Sequence, residues 1–214
     1  YADLKILREK YETVLSLQNV VGLSIATRAD ILDKEILEYL GELNKKTFLW
    51  VELGLQSSND KTAQLINRGH DFRTFMKAAE QLRERNIRVC VHIINGLPGE
   101  TYDDMIKTVK DISVLDINAV KIHMLYILKD TPLFKLYEKE KFSVMKREDY
   151  IQTVADQIEL LPEEVIVERV TGDGKADDLK APLWSLNKIS ILNDIDKELV
   201  RRNTWQGIKR NIEV

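Results

Sequence analysis

The sequence predicts an α/β fold: a partial (β/α) barrel with parallel strands, followed by a C-terminal α/β extension. Three observations predict it. Strand-like and helix-like segments alternate four times between residues 19 and 140. The strand-like segments are short apolar runs, whereas the helix-like ones repeat apolar residues at helical spacing. The alternation stops near residue 142. Such a pattern argues for a parallel sheet with crossover helices, either an open sheet or a barrel. Four units are half of an eight-stranded barrel. The chain opens on Tyr1, and Leu4, Leu7, Tyr11 and Val14 already repeat at helical spacing. It reads as a fragment, and the barrel is expected to be open because N-terminal strands are missing.

The elements follow in order. After the first helix, "NVVGLSIATR" (19–28) reads as strand and "DKEILEYLGELNKK" (33–46) as helix. "TFLWVELGLQ" (47–56) is strand, and "DFRTFMKAAEQLRERN" (71–86) is helix, with Phe72, Phe75, Ala79 and Leu82 on one stripe behind Asp71. "IRVCVHII" (87–94) is strand and "TYDDMIKTVKDISVLD" (101–116) helix. "NAVKIHMLYIL" (118–128) is strand, and a helix opens at "TPLFKLYEKE" (131–140) with Pro132 in its first turn. Residues 1–142 form the barrel part and residues 143–214 the extension. In the extension, 146–162 reads as helix, 164–170 as strand, 171–184 as loop and roughly 185–202 as a last helix. The stretch "IINGLPGE" (93–100) is a turn made with Gly96, Pro98 and Gly99, at the mouth of a strand.

Composition excludes some classes. A net charge of −3 gives no global basic field of the kind that coats nucleic acid. No apolar run approaches the roughly 18–20 residues of a membrane span, so no membrane partner is expected. The one cysteine, Cys90, excludes an internal disulfide framework and fits a reducing, cytoplasmic setting.

Strands covered on both faces should be nearly all apolar. These are not. Side chains alternate in direction, so Gly22, Ser24, Ala26 and Arg28 share one face, as do Glu52, Gly54 and Gln56, then Arg88, Cys90 and His92, then Lys121, His123 and Leu125. The opposite faces are apolar. Arg28, Gln56, His92, Asn95 and Tyr126 fall near the C-terminal ends of their strands, where such folds bind ligands. Bland readings stand beside this one. Glu52 with Lys121 or Arg88 could be a structural ion pair, the histidines could be satisfied core residues, and Cys90 a small buried hydrophobe. His92, His123 and Glu52 could instead build a metal site. "TGDGKAD" (171–177) lacks the glycine spacing of a P-loop, and no GxSxG appears. "KELVRRNTWQGIKR" (197–210) sets basic residues around Trp205, which either meet RNA or form a solvated helix end with Trp205 in the core.

Three segments together resemble the radical S-adenosylmethionine (radical SAM) superfamily. They are "VELGLQSSNDKTAQLINRGH" (51–70), "VHIINGLPGET" (91–101) and "LYILKDTPLFKLYEK" (125–139). They look most like the branch holding coproporphyrinogen dehydrogenase, the elongator catalytic subunit and the methylthiotransferases. The resemblance implies a role for each matching residue. Gln56 and Arg68 would contact the ribose and carboxylate end of SAM. Ser24 or Arg28 would sit where the family places a polar contact, and His92 where relatives often carry an acidic ribose ligand. Tyr126 and Ile127 would lie near the adenine, and Asn95 would line the pocket wall. The family also implies a [4Fe–4S] cluster on a CxxxCxxC motif, an electron donor to reduce it and, in this branch, either tRNA or a porphyrin as substrate, which the resemblance leaves open. The sequence departs from the family at that motif. With one cysteine it lacks the thiolates a cluster needs, so the 214 residues alone are expected not to cleave SAM. A non-catalytic module that binds a nucleoside or a partner is the alternative.

Overall fold

A computed structural model describes residues 3–172, 174 and 176–210. In chain order its elements are α1 (Leu4–Leu15), β1 (Gly22–Thr27), α2 (Lys34–Lys46), β2 (Phe48–Gln56), α3 (Asp60–Leu65), α4 (Phe72–Arg83), β3 (Arg88–Asn95) and α5 (Tyr102–Ser113). There follow β4 (Ala119–Met124), β5 (Ile127–Leu128), α6 (Pro132–Glu138), α7 (Arg147–Leu160), β6 (Ile166–Arg169), β7 (Leu179–Ala181) and α8 (Lys188–Arg202).

The four strands of the alternating pattern, joined by β6, form one parallel sheet in the order β1-β2-β3-β4-β6. This is the partial (β/α) barrel that the alternation predicts. Helix starts are written locally. Asp33 and Asp71 accept from backbone N–H groups at the starts of α2 and α4. Thr101 and Asp104 make a reciprocal capping box on α5. Thr131 caps α6, with Pro132 in its first turn.

The apolar strand face is the core. Leu49, Val51, Leu53, Val89, Val91, Val120 and Ile122 have almost no exposed surface. Leu37 and Leu43 of α2, Phe75 and Leu82 of α4, and Val109 and Ile112 of α5 are buried in the same cluster. Each such side chain contributes about 1.5–3 kcal/mol through loss of apolar surface from water. Packing thus fixes one face of the sheet and leaves the other to polar residues.

The C-terminal part differs from a simple extension. β6 pairs in parallel with β4, Ala119 opposite Ile166 and Val120 opposite Val167, so a strand from beyond residue 142 completes the sheet. A parallel neighbour needs a crossover of a dozen or more residues, and the 14-residue α7 lies in that connection. Residues 125–128 do not continue β4 as the sequence suggests. The chain leaves the sheet after Met124, and β5 pairs antiparallel with β7, Ile127 opposite Ala181. The short helix α3, the β5–β7 pair and a 3-10 turn at Leu183–Leu186 are additions to the predicted elements. In the turn after β3, Gly96 and Gly99 take φ of 81° and 82°, values that a side chain disfavours.

Candidate functional site

The polar face gathers around Glu52 in the middle of β2. Strand register sets Gly54 beside His92, and His92 beside Lys121. Ser24 donates to Glu52 Oε1 at 2.7 Å. Lys121 donates to Oε2 at 2.6 Å, and His92 Nε2 lies 2.7 Å from that same oxygen. Lys121 also reaches Glu168 of β6 at 3.3 Å. The His123 ring stacks against His92 with centroids 5.4 Å apart.

Electrostatics follow from this geometry. Burial raises the Glu52 carboxyl, but the hydrogen bonds from Lys121, Ser24 and His92 outweigh it and hold it at about 2. Glu52 is therefore ionised at neutral pH. Burial lowers His92, and the opposing pull of Glu52 does not restore it. For Lys121, burial pulls down, but the bonds to Glu52 and Glu168 raise it overall. Burial, with His92, Arg169 and Lys121 nearby, lowers His123 to about 4. Both imidazoles are thus neutral at pH 7. His123 Nε2 is buried and makes no hydrogen bond among the described residues.

A second group sits at the C-terminal end of β2. Gln56 takes φ of 74°, unusual for a residue with a side chain. Arg68, on the segment after α3, donates to the Gly54 carbonyl. A methyl at Gly54 would stand 2.8 Å from Gln56 Nε2 and 2.9 Å from Arg68 Nη2. Gly54 therefore lets Gln56 and Arg68 converge over the backbone. Arg28 pairs with Asp30 through two bonds of 2.9 and 2.7 Å and packs against Gly69, whose φ is 87°.

Ser24, His92, Gln56 and Arg68 lie along the β1–β3 part of the polar face, with Arg28 beside Gly69 next to Arg68. Asn95 does not join them. Its parity in β3 is that of Val89, Val91 and Ile93, so its side chain enters the helical layer. There it is 2% exposed and exchanges two bonds of 2.8 Å with Gln157 of α7. It is a buried structural amide rather than a pocket wall. Tyr126 is held by the loop after β6: Gly172 N–H donates to its hydroxyl at 3.0 Å, and that hydroxyl lies 2.9 Å from Met124 Sδ. Ile127 is buried in the β5–β7 pair.

Other expectations are corrected. No group of three or more His, Cys, Asp or Glu among the described residues can hold a metal. His92 is committed to Glu52, and Lys121 occupies the carboxylate where a cation would go. Arg88 is not the partner of Glu52; its guanidinium lies 4.6 Å from the centre of the Phe48 ring. The basic C-terminal stretch is neutralised: Arg201 and Arg202 pair with Glu198, Arg202 with Asp156, Lys209 with Glu159, and Arg210 with Glu164. Trp205 is 56% exposed, so it is not in the core either. Sequence reasoning missed Glu168, since nothing in "EVIVERV" says that its strand joins β4. It also missed Gly172 and Gly174, which give room to the Tyr126 ring.

Residues 1–112 match the radical SAM superfamily, and residues 117–201 match the radical SAM C-terminal domain. The chain belongs to the radical SAM superfamily. Among its curated relatives, this radical SAM chain is 50% identical over 207 residues to the uncharacterized protein YtqA of Bacillus subtilis, covering 97% of the chain and 64% of that protein. It is 26% identical over 156 residues to the tRNA uridine(34) acetyltransferase of Methanocaldococcus infernus, covering 72% of the chain and 29% of that protein. Its fold matches a solved structure of Methanocaldococcus infernus Elp3 lacking residues 1–46 with a TM-score of 0.76 and 22% identity, over 87% of this chain and 43% of that one. The chain spans 64–66% of the length of the curated relatives that match nearly all of it.

The superfamily implies two groups, and the residues fit them differently. A face of paired donors and acceptors, with an unused nitrogen on His123, fits a polar ligand such as SAM. The cluster does not fit. The only thiol, Cys90, is buried within β3 and raised by burial to about 12, so it is neither a thiolate nor one of three.

Proposed function

We propose that this chain forms the SAM-binding face of a radical SAM enzyme that modifies tRNA. The observation that carries the reading is the polar face itself, ordered around Glu52 within an otherwise apolar parallel sheet. Burying charges costs several kcal/mol, and here the network leaves His123 Nε2 unpartnered. Gln56 and Arg68 converge at the open end of β2, where the resemblance places the ribose and carboxylate contacts of SAM. A guanidinium and an amide at fixed separation suit a carboxylate and a hydroxyl. Ser24, Arg28, His92, Tyr126 and Ile127 would complete the site, Ile127 through its backbone.

The chain's own residues bind and orient the ligand. Reductive cleavage of SAM to a 5′-deoxyadenosyl radical is the reading for the full-length enzyme, with its electron donor. Cys90 cannot hold the cluster that this requires, so the 214 residues by themselves bind SAM without cleaving it. Similarity to a tRNA uridine(34) acetyltransferase supports tRNA as substrate. The test is anaerobic reconstitution of the full-length protein with iron and sulfide, reduction by dithionite, and assay for 5′-deoxyadenosine with and without tRNA. Formation of 5′-deoxyadenosine that Arg68→Ala abolishes supports the reading. Its absence from the reconstituted wild type rejects it.

A further inference from the structure

We infer that Glu100 is a positioning residue for the ligand contacts of β2: through Ser57 it holds the bulge in which Gln56 turns its amide toward Arg68. This rests on the reading of Gln56 and Arg68 as ligand contacts and says what keeps them aimed.

The end of β2 is strained at Gln56 itself. Gly54 lies opposite His92 and Gln56 opposite Ile93, so two steps along β2 answer one along β3. That is a β-bulge, which re-aims a side chain beside a site. Gln56 sits in it with φ of 74°, a conformation that a residue with a side chain keeps only where its surroundings over-determine it. The next three residues supply those surroundings. Ser57 is 4% exposed, and its hydroxyl donates to Glu100 Oε1 in the loop between β3 and α5. The same Ser57 oxygen accepts from the Asn59 N–H at 3.0 Å. The Ser58 N–H donates to Thr108 Oγ1 of α5 at 3.1 Å, and Asn59 Nδ2 donates to Asp104 Oδ1 at 3.0 Å.

Glu100 is the joint of this cluster. Its own N–H donates to the Leu97 carbonyl at 3.1 Å, within the turn that carries Gly96 and Gly99. Thr62 of α3 also stabilises its charge. The Arg68 N–H donates to the Ala63 carbonyl at 2.8 Å, so Arg68 is carried by that same short helix. One carboxyl thus engages both the residue after Gln56 and the helix before Arg68. Stability alone does not account for an acid here. Burial raises the Glu100 carboxyl, nearby Asp104 adds to the rise, and the Ser57 and Thr62 hydroxyls oppose it without restoring it. No cation pairs with it among the described residues. A buried acid without a counter-ion costs stability, whereas a plain joint between α3 and α5 is already made by the Ser58–Thr108 and Asn59–Asp104 bonds.

Backbone chemical shifts and three-bond couplings of Gln56, in the chain labelled with 15N and 13C, report φ without any ligand. The expected result is a positive φ in the wild type and in Glu100→Gln, which keeps an acceptor oxygen. In Glu100→Ala, and in the milder Ser57→Ala, φ should average toward negative values while the shifts of β1 and β4 stay in place. A wild-type Gln56 with negative φ, or a positive φ undisturbed in both truncations, would overturn the role of Glu100. So would a Glu100→Gln that fails as Glu100→Ala does. Calorimetry with SAM then closes a cycle. Glu100→Ala and Gln56→Ala should each weaken SAM by about threefold to tenfold, the share of one neutral hydrogen bond. The double variant should lose no more than about twofold beyond either one, because both remove the same contact. A double variant whose loss is the product of the two, as a merely structural role gives, overturns the proposal, and so does an unchanged affinity in Glu100→Ala. Failure of the wild type to bind SAM counts instead against the functional reading, and the φ of Gln56 still decides the role of Glu100.

Discussion

Asn95→Ala separates a structural role from a ligand role. The wild-type pair is an amide facing an amide: Asn95 Nδ2 donates to Gln157 Oε1 and Gln157 Nε2 donates to Asn95 Oδ1, both at 2.8 Å. Gln157 is fully buried and donates besides to the Met105 carbonyl at 3.2 Å. Truncation removes both amide bonds, worth about 0.5–1.5 kcal/mol each, and strands the Gln157 oxygen away from water at a further cost of about 1–3 kcal/mol. The expected loss is about 2–6 kcal/mol, or roughly 4–24 °C in Tm for a chain of this size. Urea denaturation followed by circular dichroism measures it, with Gln157→Ala and the double variant closing a cycle. The coupling should be about 1–2 kcal/mol, because the second truncation removes an atom already stranded by the first. Affinity for SAM should stay within about twofold, since the side chain faces the helical layer. A stability change below about 0.5 kcal/mol, or near-zero coupling, would refute the reasoning. So would a large loss of SAM affinity in a fully folded Asn95→Ala.

Other consequences follow from the same geometry. The folded-state pKa of Glu52 is depressed from 4.5 to about 2, so its contribution to stability is present above about pH 4.5 and lost as pH falls through 2; Glu52→Gln should flatten that acid limb of the urea-midpoint curve. His123 is lowered from 6.5 to about 4, so the unfolded chain takes up its proton first and stability should fall between those pH values; His123→Gln should remove that segment of the profile. Gly172→Ala places a methyl 2.5 Å from Tyr126 Cε2 and should destabilise by about 1–3 kcal/mol in a thermal melt, most of which Tyr126→Ala in the same chain should relieve. Cys90 should resist a thiol reagent such as 5,5′-dithiobis(2-nitrobenzoic acid) in the native protein and react promptly in denaturant, because its thiol is buried and held near 12.

Periodicity and parity were enough to read the layers. The four strand–helix alternations specified a parallel sheet, because apolar residues two apart and three or four apart leave few other ways to bury them. Parity along each strand set Ser24, Glu52, His92, Lys121 and His123 on one face before any coordinates, since side chains of a strand can point only two ways. Parity also contradicts the role read into Asn95, which shares the face of Val91 and Ile93. The segment matches that resemble the radical SAM superfamily were legible for the same reason as the turn at Gly96–Gly99: both are local in the chain. What the tertiary structure decided is non-local. Strand register chose Lys121, not Arg88, as the partner of Glu52, and it brought Glu168 to the same cation from a strand that the sequence assigned to an extension. Packing against α7 claimed Asn95, and the loop at Gly172 claimed Tyr126. Residue type states what a side chain can donate or accept, whereas its partner depends on which distant segment the fold brings within about 3 Å.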